Sequence, residues 1–231
     1  MNVDVAIVGG GPVGGSLARA LAPTGLSVTL VEPRAPRPLP GAGFDRRVYA
    51  LNGHSRRFLE RCGVWQRLSP ERVAPVREMR VFGDDASRIE FSAYRSGVPE
   101  LASIVEEANL QQALQSSLST QANLTLLTGI ECTSAHWNDA LATLSLSDGR
   151  QIEARLVVAA DGAESALRSA AGIATQIREY AQTGVVANFH IGRAHRDIAY
   201  QWFSTQGVLA LLPLPGNYAS MVWSAPEARS L

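Results

Sequence analysis

Val3-Asp4-Val5-Ala6-Ile7-Val8-Gly9-Gly10-Gly11-Pro12-Val13-Gly14 carries an apolar, β-branched run straight into a glycine cluster. Val3 to Val8, broken only by Asp4, has the continuous apolar character of a strand buried in a parallel sheet. Residues 16–22 follow with helical apolar spacing, and Gly25 stands where a helix stops. Residues 27–31 read as a second strand, with Glu32 at its end. The order is strand, glycine turn, helix, strand, acid.

Gly9, Gly11 and Gly14 have the G-x-G-x-x-G spacing of a dinucleotide fingerprint. The first glycine makes the tight turn, the second lets a pyrophosphate approach the backbone, and the third lets helix and strand pack closely. Val13 lies at the helix N-terminus, whose free N–H groups and positive dipole end suit phosphates. Glu32, eighteen residues beyond Gly14, is placed to hydrogen-bond ribose hydroxyls. It would repel a 2′-phosphate, so the expected ligand is FAD or NAD rather than NADP.

Outward from this unit, the composition is that of a folded globular chain. Of 231 residues, 46% are hydrophobic and 18% charged, which excludes disorder. The 21 basic and 21 acidic residues cancel, so no global field favours nucleic acid or an anionic membrane. Every basic residue is Arg, which reads as a codon bias. Cys62 and Cys132 lie in no zinc spacing and no disulfide framework, so no metal is expected and both read as reduced thiols of a cytoplasmic protein. No signal peptide or membrane-spanning run is evident, and 208–214 is far too short to span a bilayer.

Residues 33–43, with four prolines and two glycines, read as a loop. Residues 44–51 lead into a helical stretch over 55–62, with Trp65 behind it as a core plug. Residues 77–82 and 88–91 read as a hairpin, and 105–118 as an amphipathic helix. Strands are expected over 124–127, 132–137, 141–146, 151–154 and 156–160, with Asp148-Gly149 as a hairpin turn. The last strand ends in Asp161-Gly162, at the carboxyl edge where open α/β sheets bind ligands, and a short helix follows to Ala171. Beyond Gly172 only strands are expected, over 184–191, 197–203, 208–212 and 218–223.

Three motifs together make the chain resemble the flavoprotein aromatic hydroxylases, the group-A FAD monooxygenases. Within them it is most similar to the ubiquinone-biosynthesis branch, of the 2-octaprenyl-6-methoxyphenol hydroxylase kind. The motifs are Gly9-x-Gly11-x-x-Gly14 with Glu32, then Asp45-x-Arg47-x-x-Ala50-Leu51, then Ala160-Asp161-Gly162-Ala163-x-Ser165-x-x-Arg168. The resemblance covers nearly the whole chain. It implies FAD as cofactor and NAD(P)H as co-substrate. It places Arg47 near the flavin or its pyrophosphate, where a guanidinium forks onto anionic oxygens. It gives Asp161 and Gly162 contacts to FAD and NADPH, while Ser165 and Arg168 hold the turn. Many relatives carry Arg or Asn where Glu107 aligns; Glu106-Glu107 suits a helix start, and no site is assigned there. The family's third fingerprint, a late Gly-Asp, is absent, so the chain reads as a carboxyl-terminally truncated hydroxylase.

The fold expected is a Rossmann-like α/β FAD-binding domain over 1–72 and 101–178. A β-rich, antiparallel substrate domain, incomplete, is expected over 73–100 and 179–231. The reaction implied is hydroxylation of a phenol with NAD(P)H and O₂. A lipid-tailed phenol would bring the protein to the inner face of a membrane, or to a quinone-synthesis assembly. An open sheet edge would favour self-association. Two other readings stay open: another flavoenzyme of the same fold, such as a prenyl reductase, or a non-catalytic FAD-binding or assembly subunit. No nucleic-acid partner is expected.

Overall fold

A computed structural model describes residues 1–35, 37–84 and 86–226. Pro36, Asp85 and the closing residues 227–231 lie outside the described residues. The chain divides into two compact units. The first comprises Met1–Pro38, Leu59–Arg67 and Leu110–Ile177, and the second Leu39–Phe58, Leu68–Asn109 and Arg178–Leu231. Residues 39–58, 68–72, 101–109 and 178 thus group with the second unit, whereas the expected bounds assign them to the first.

The first unit is built on a six-stranded sheet. Its strands are β1 (Asn2–Val8), β2 (Val28–Glu32), β8 (Leu124–Thr128), β9 (Cys132–Trp137), β10 (Ala142–Leu146) and β11 (Gln151–Ala159), in the order β8-β2-β1-β11-β10-β9. The first four are parallel, and β10 and β9 add an antiparallel meander. Val5 to Val8 are all buried, because both sheet faces are covered. One face packs Ala6, Val8, Val31, Leu144 and Ile152. The other packs Val5, Ile7, Val28 and Leu30 against Ala18 of α1 (Pro12–Ala20) and Leu118 of α3 (Glu107–Leu118). Asp4, the polar break in β1, is used at the sheet's end. Its Oδ2 accepts from the Ser27 N–H at 2.9 Å and hydroxyl at 2.7 Å, and Arg155 donates to Oδ1 at 3.1 Å.

The expected strands 151–154 and 156–160 form one strand, β11, which pairs with β1 from Glu153 to Ala159. Its antiparallel partner β10 covers only its first part, Gln151 to Ala154. Beyond Ala154 that side of β11 has no strand neighbour among the described residues, and Leu156 is 56% exposed. An apolar cleft of about 600 Å³ lies there, lined by Trp137, Leu156, Val157, Leu167 and Ile173.

The second unit holds two sheets. The smaller pairs β3 (Val48–Asn52), β7 (Ala102–Glu106) and β4 (Val73–Val76), with Pro75 tolerated because β4 is an edge. The larger is β12 (Gln182–His190), β15 (Tyr218–Pro226), β14 (Gly207–Leu214), β13 (Ile198–Ser204), β5 (Glu78–Phe82) and β6 (Arg88–Ser92), in that order. Its pairs are antiparallel except β13 with β5. Ala74, Val76, Ile104, Ala199 and Leu214 form the core of this unit.

Four sequence expectations are corrected. Residues 48–52, expected only as the lead into a helix, form a strand of their own before it, because Val48 to Asn52 pair with β7. Val105 ends that partner strand, so α3 begins at Glu107. Helix α1 begins at Pro12, whose missing N–H costs nothing at a first helical position. Trp65 is only half-buried, and Val64 takes the core position beside α2 (Gly53–Arg61).

Candidate cofactor site

The glycine turn lies at the carboxyl end of β1. Gly9 has φ +105°, and its N–H donates to Val31 O at 2.8 Å. A Cβ at Gly9 would sit 2.1 Å from Ala160 O, and one at Gly14 would sit 1.9 Å from Gly9 O. These two glycines are required by packing within the turn and against the end of β11. Gly11 differs. It has an ordinary φ of −63°, and a Cβ there would meet only the Gln111 Nε2, at 4.0 Å. Its open side faces outward. Helix α1 starts on Gly11 with no side-chain cap, and Val13 in its first turn is 74% exposed. The helix end therefore presents backbone N–H groups and its positive dipole end without a carboxylate of its own.

Glu32 ends β2 beside this turn. Its Oε2 accepts from the Gly10 N–H at 2.6 Å and its Oε1 from the Arg34 N–H at 2.9 Å. The acid thus shapes the glycine loop, and each oxygen keeps a further lone pair for a ribose hydroxyl. A Cβ at Gly9 would also meet the Asp161 N at 2.9 Å, so the third motif lies directly against the first. The Asp161 carboxylate turns into its own loop. It accepts from the Ser165 hydroxyl at 2.5 Å and the Leu167 N–H at 3.3 Å, and Ser165 caps α4 (Ala166–Ala170) by accepting from the Arg168 N–H at 3.0 Å. Arg168 closes the loop on Ala163 O at 2.9 Å. Gly162, at φ +99°, has open space where a Cβ would be. Gly9, Gly11, Val13, Gly14, Glu32, Asp161 and Gly162 all fall in the first unit.

Arg47 belongs to the second unit, in a turn fixed by polar contacts. The Asp45 N–H donates to Glu106 Oε2 at 2.5 Å, and the Asp45 carboxylate accepts from the Arg47 N–H at 3.1 Å and from the Ala108 N–H at 3.2 Å, in the first turn of α3. Glu106 is wholly buried and paired with Arg72 at 2.7 Å, and Arg72 also lies over the Phe44 ring. Asn188, on β12, donates from Nδ2 to Phe44 O and Asp45 O, both at 3.0 Å. The Arg47 guanidinium meets the Glu107 carboxylate at 3.1 and 3.3 Å, and Tyr49 donates to Glu107 at 3.2 Å. Glu107 raises the Arg47 pKa further; burial pushes the Tyr49 phenol up, and Glu107 adds to it. Sequence reasoning missed Glu106, Arg72 and Asn188. The one legible signal was the polar Asn188 inside the apolar run Val185 to Phe189.

A strand–glycine turn–helix–strand unit with an uncapped helix start and a terminal acid defines a nucleotide-binding α/β scaffold. The chain belongs to the FAD binding domain family, whose profile matches residues 2–229. It is 37% identical over 221 residues to the ubiquinone hydroxylase UbiL of Rhodospirillum rubrum, matching 96% of this chain and 51% of that protein. It is 36% identical to the 3-demethoxyubiquinol 3-hydroxylase of Escherichia coli, over 98% of this chain and 58% of the relative. The chain therefore spans about half the length of these relatives. Among solved structures, Pseudomonas aeruginosa PqsL in complex with 2-aminobenzoylacetate matches the whole chain and 63% of its own, with TM-score 0.83 and 25% identity. Klebsiella pneumoniae HpxO complexed with FAD shares the fold, with TM-score 0.75 and 19% identity.

The residues present fit FAD. The open side of Gly11, the uncapped start of α1 and the acid at Glu32 are what a pyrophosphate and a ribose require.

Proposed function

We propose that the chain serves an FAD-dependent monooxygenase that hydroxylates a phenolic, polyprenyl-tailed intermediate of ubiquinone biosynthesis. The observation that carries the reading is the first turn of α1, open at Gly11 and uncapped, in a chain whose relatives are ubiquinone hydroxylases. When bound, FAD supplies the redox chemistry, with NAD(P)H giving two electrons and O₂ giving one oxygen to the ring and one to water. This chain's residues bind and orient. Gly11, Val13 and Gly14 offer backbone N–H groups to the pyrophosphate, Glu32 holds a ribose, and Gly162 leaves room beside the turn. Arg47 offers a guanidinium to an anionic group of the nucleotide. The strands from Gln182 onward form one wall of the substrate pocket.

A polyprenyl tail partitions into lipid, so the reading includes peripheral contact with a membrane. No helix of the described residues is long and apolar enough to cross one. It also includes self-association through the free side of β11. The test is NADPH and O₂ consumption by the FAD-loaded protein with and without a short-tailed demethoxyubiquinol. Stoichiometric, phenol-dependent consumption with a hydroxylated product supports the reading. Tight FAD binding without NADPH oxidation would contradict it in favour of a non-catalytic flavoprotein.

A further inference from the structure

The larger sheet of the second unit carries one row of side chains across all six of its strands. Ile89 pairs with Val81, Val81 with Gln201, Gln201 with Ala210, Ala210 with Val222, and Val222 with Val186. Partners in register share a face, and so do residues two apart on one strand. Val81, Gln201 and Ala210 therefore lie on the same face as Met79, Ala199 and Leu212, which pack with Ala74, Val76 and Ile104 in the core. That end of the face is covered. The row beside it is not. Ile89 and Val186 are exposed at its two ends, and the four residues between them are half-buried. Five of the six are apolar, and the exception, Gln201, is central. Asn188 and Arg80 of the same sheet spend their donors on neighbours. The Gln201 amide has no hydrogen bond to any described residue. Its oxygen and its N–H groups are both available. An apolar platform with one placed polar group is the pattern of a small-molecule site. The apolar part holds the ligand and the polar group fixes its orientation.

We propose that the phenolic ring of the substrate lies on this row and that Gln201 is the residue that selects it. The amide oxygen accepts from the ring O–H, and the apolar residues on either side hold the ring and the start of its tail. This rests on the hydroxylase reading above and deepens it, from a wall of strands to one face and one polar contact. Every residue it uses belongs to the second unit. A site built to hydrogen-bond a hydroxyl discriminates against an analogue that lacks the proton, because the amide oxygen is then left without its donor.

The experiment titrates 2-prenylphenol and its methyl ether into the wild-type chain, Gln201→Met and Gln201→Glu, followed by ¹H–¹⁵N NMR. The wild type should bind the phenol about tenfold more tightly than the ether, with shifts centred on Gln201, Ala210 and Val222. Gln201→Met keeps the side chain's length but not its acceptor. It should bind both ligands alike, with the phenol weakened about tenfold. Gln201→Glu keeps an acceptor and should keep the preference. No preference in the wild type, a preference that survives in Gln201→Met, or shifts confined to another surface would overturn the proposal. So would a folded wild type that binds no phenol. The hydroxylase reading is tested apart from this, by phenol-dependent NADPH oxidation in the FAD-loaded protein. Phenol binding that depends on Gln201 without that oxidation overturns the reading and leaves the contact standing. Oxidation that Gln201→Met leaves unchanged overturns the role of Gln201 and leaves the reading standing. Thermal melts check folding. A half-buried, unpaired amide contributes little to stability, so the variants should melt close to the wild type.

Discussion

Gly9, Gly11 and Gly14 share one motif, but their surroundings give them different tasks. A methyl group at Gly14 would collide with Gly9 O, so Gly14→Ala should cost about 3 kcal/mol, at the upper end of overpacking penalties. For a chain of this size that lowers the melting temperature by about 6–12 °C, readable in a thermal melt. An unchanged melting point would mean that α1 can move away from β1. The sequence showed the spacing of these glycines, and the tasks expected of Gly9 and Gly14 match the contacts they make. What it did not show is that Glu32 and Asp161 spend hydrogen bonds on their own loops. Those bonds depend on where side chains turn after the backbone is placed, and a one-dimensional pattern carries no such direction.

Among the elements, the strands over 2–8 and 28–32 were legible because continuous apolar runs bounded by glycine have few other readings. Residues 48–52 and 102–106 were not. Each is a short strand joined directly to a helix, α2 or α3, and the apolar positions at 105 and 110 satisfy a helical period as well as a strand end. The turn over 44–47 was legible as a motif, but its anchoring was not, because Asn188 lies more than a hundred residues away in sequence. Asn188→Ala removes two hydrogen bonds from that turn and should cost about 1–3 kcal/mol, measurable as a lower urea midpoint. No change would mean that Glu106 and Arg72 hold the turn alone. The β1–β2 junction has a pH signature. Hydrogen bonds from the Ser27 backbone N–H, then its hydroxyl, then Arg155 hold the Asp4 carboxyl below its ordinary value of 3.8. A carboxyl lowered in the folded state stabilises above its unfolded value, and that contribution is lost as pH falls through the lower folded value. Below about pH 4 the wild type should therefore lose stability more steeply than Asp4→Asn. Parallel pH profiles would contradict this origin.

At the scale of the whole molecule, the α/β sheet with a β-rich second unit was legible from the switch in pattern after Gly172. An open edge was expected in the incomplete second sheet, whereas the free edge described lies in the first unit: beyond Ala154, β11 is paired with β1 alone. An unprotected strand edge beside exposed Leu156 recruits other strands. The chain should therefore self-associate with rising concentration in sedimentation velocity, and Leu156→Arg should shift it towards monomer. A wild type that stays monomeric throughout would remove this edge as a contact. The central claim is that the first turn of α1 receives FAD, and Gly11 tests it cleanly. Its φ suits any residue and its Cβ direction is open, so Gly11→Val should fold, with a melting point lowered only by the poorer helix N-cap, while blocking approach of a pyrophosphate. The most direct measurement is an equilibrium titration of FAD into both proteins, followed by flavin fluorescence. Saturable one-to-one binding by the wild type, weakened at least about tenfold in a fully folded Gly11→Val, is the predicted result. Equal binding by the two proteins, or none by a folded wild type, would contradict it.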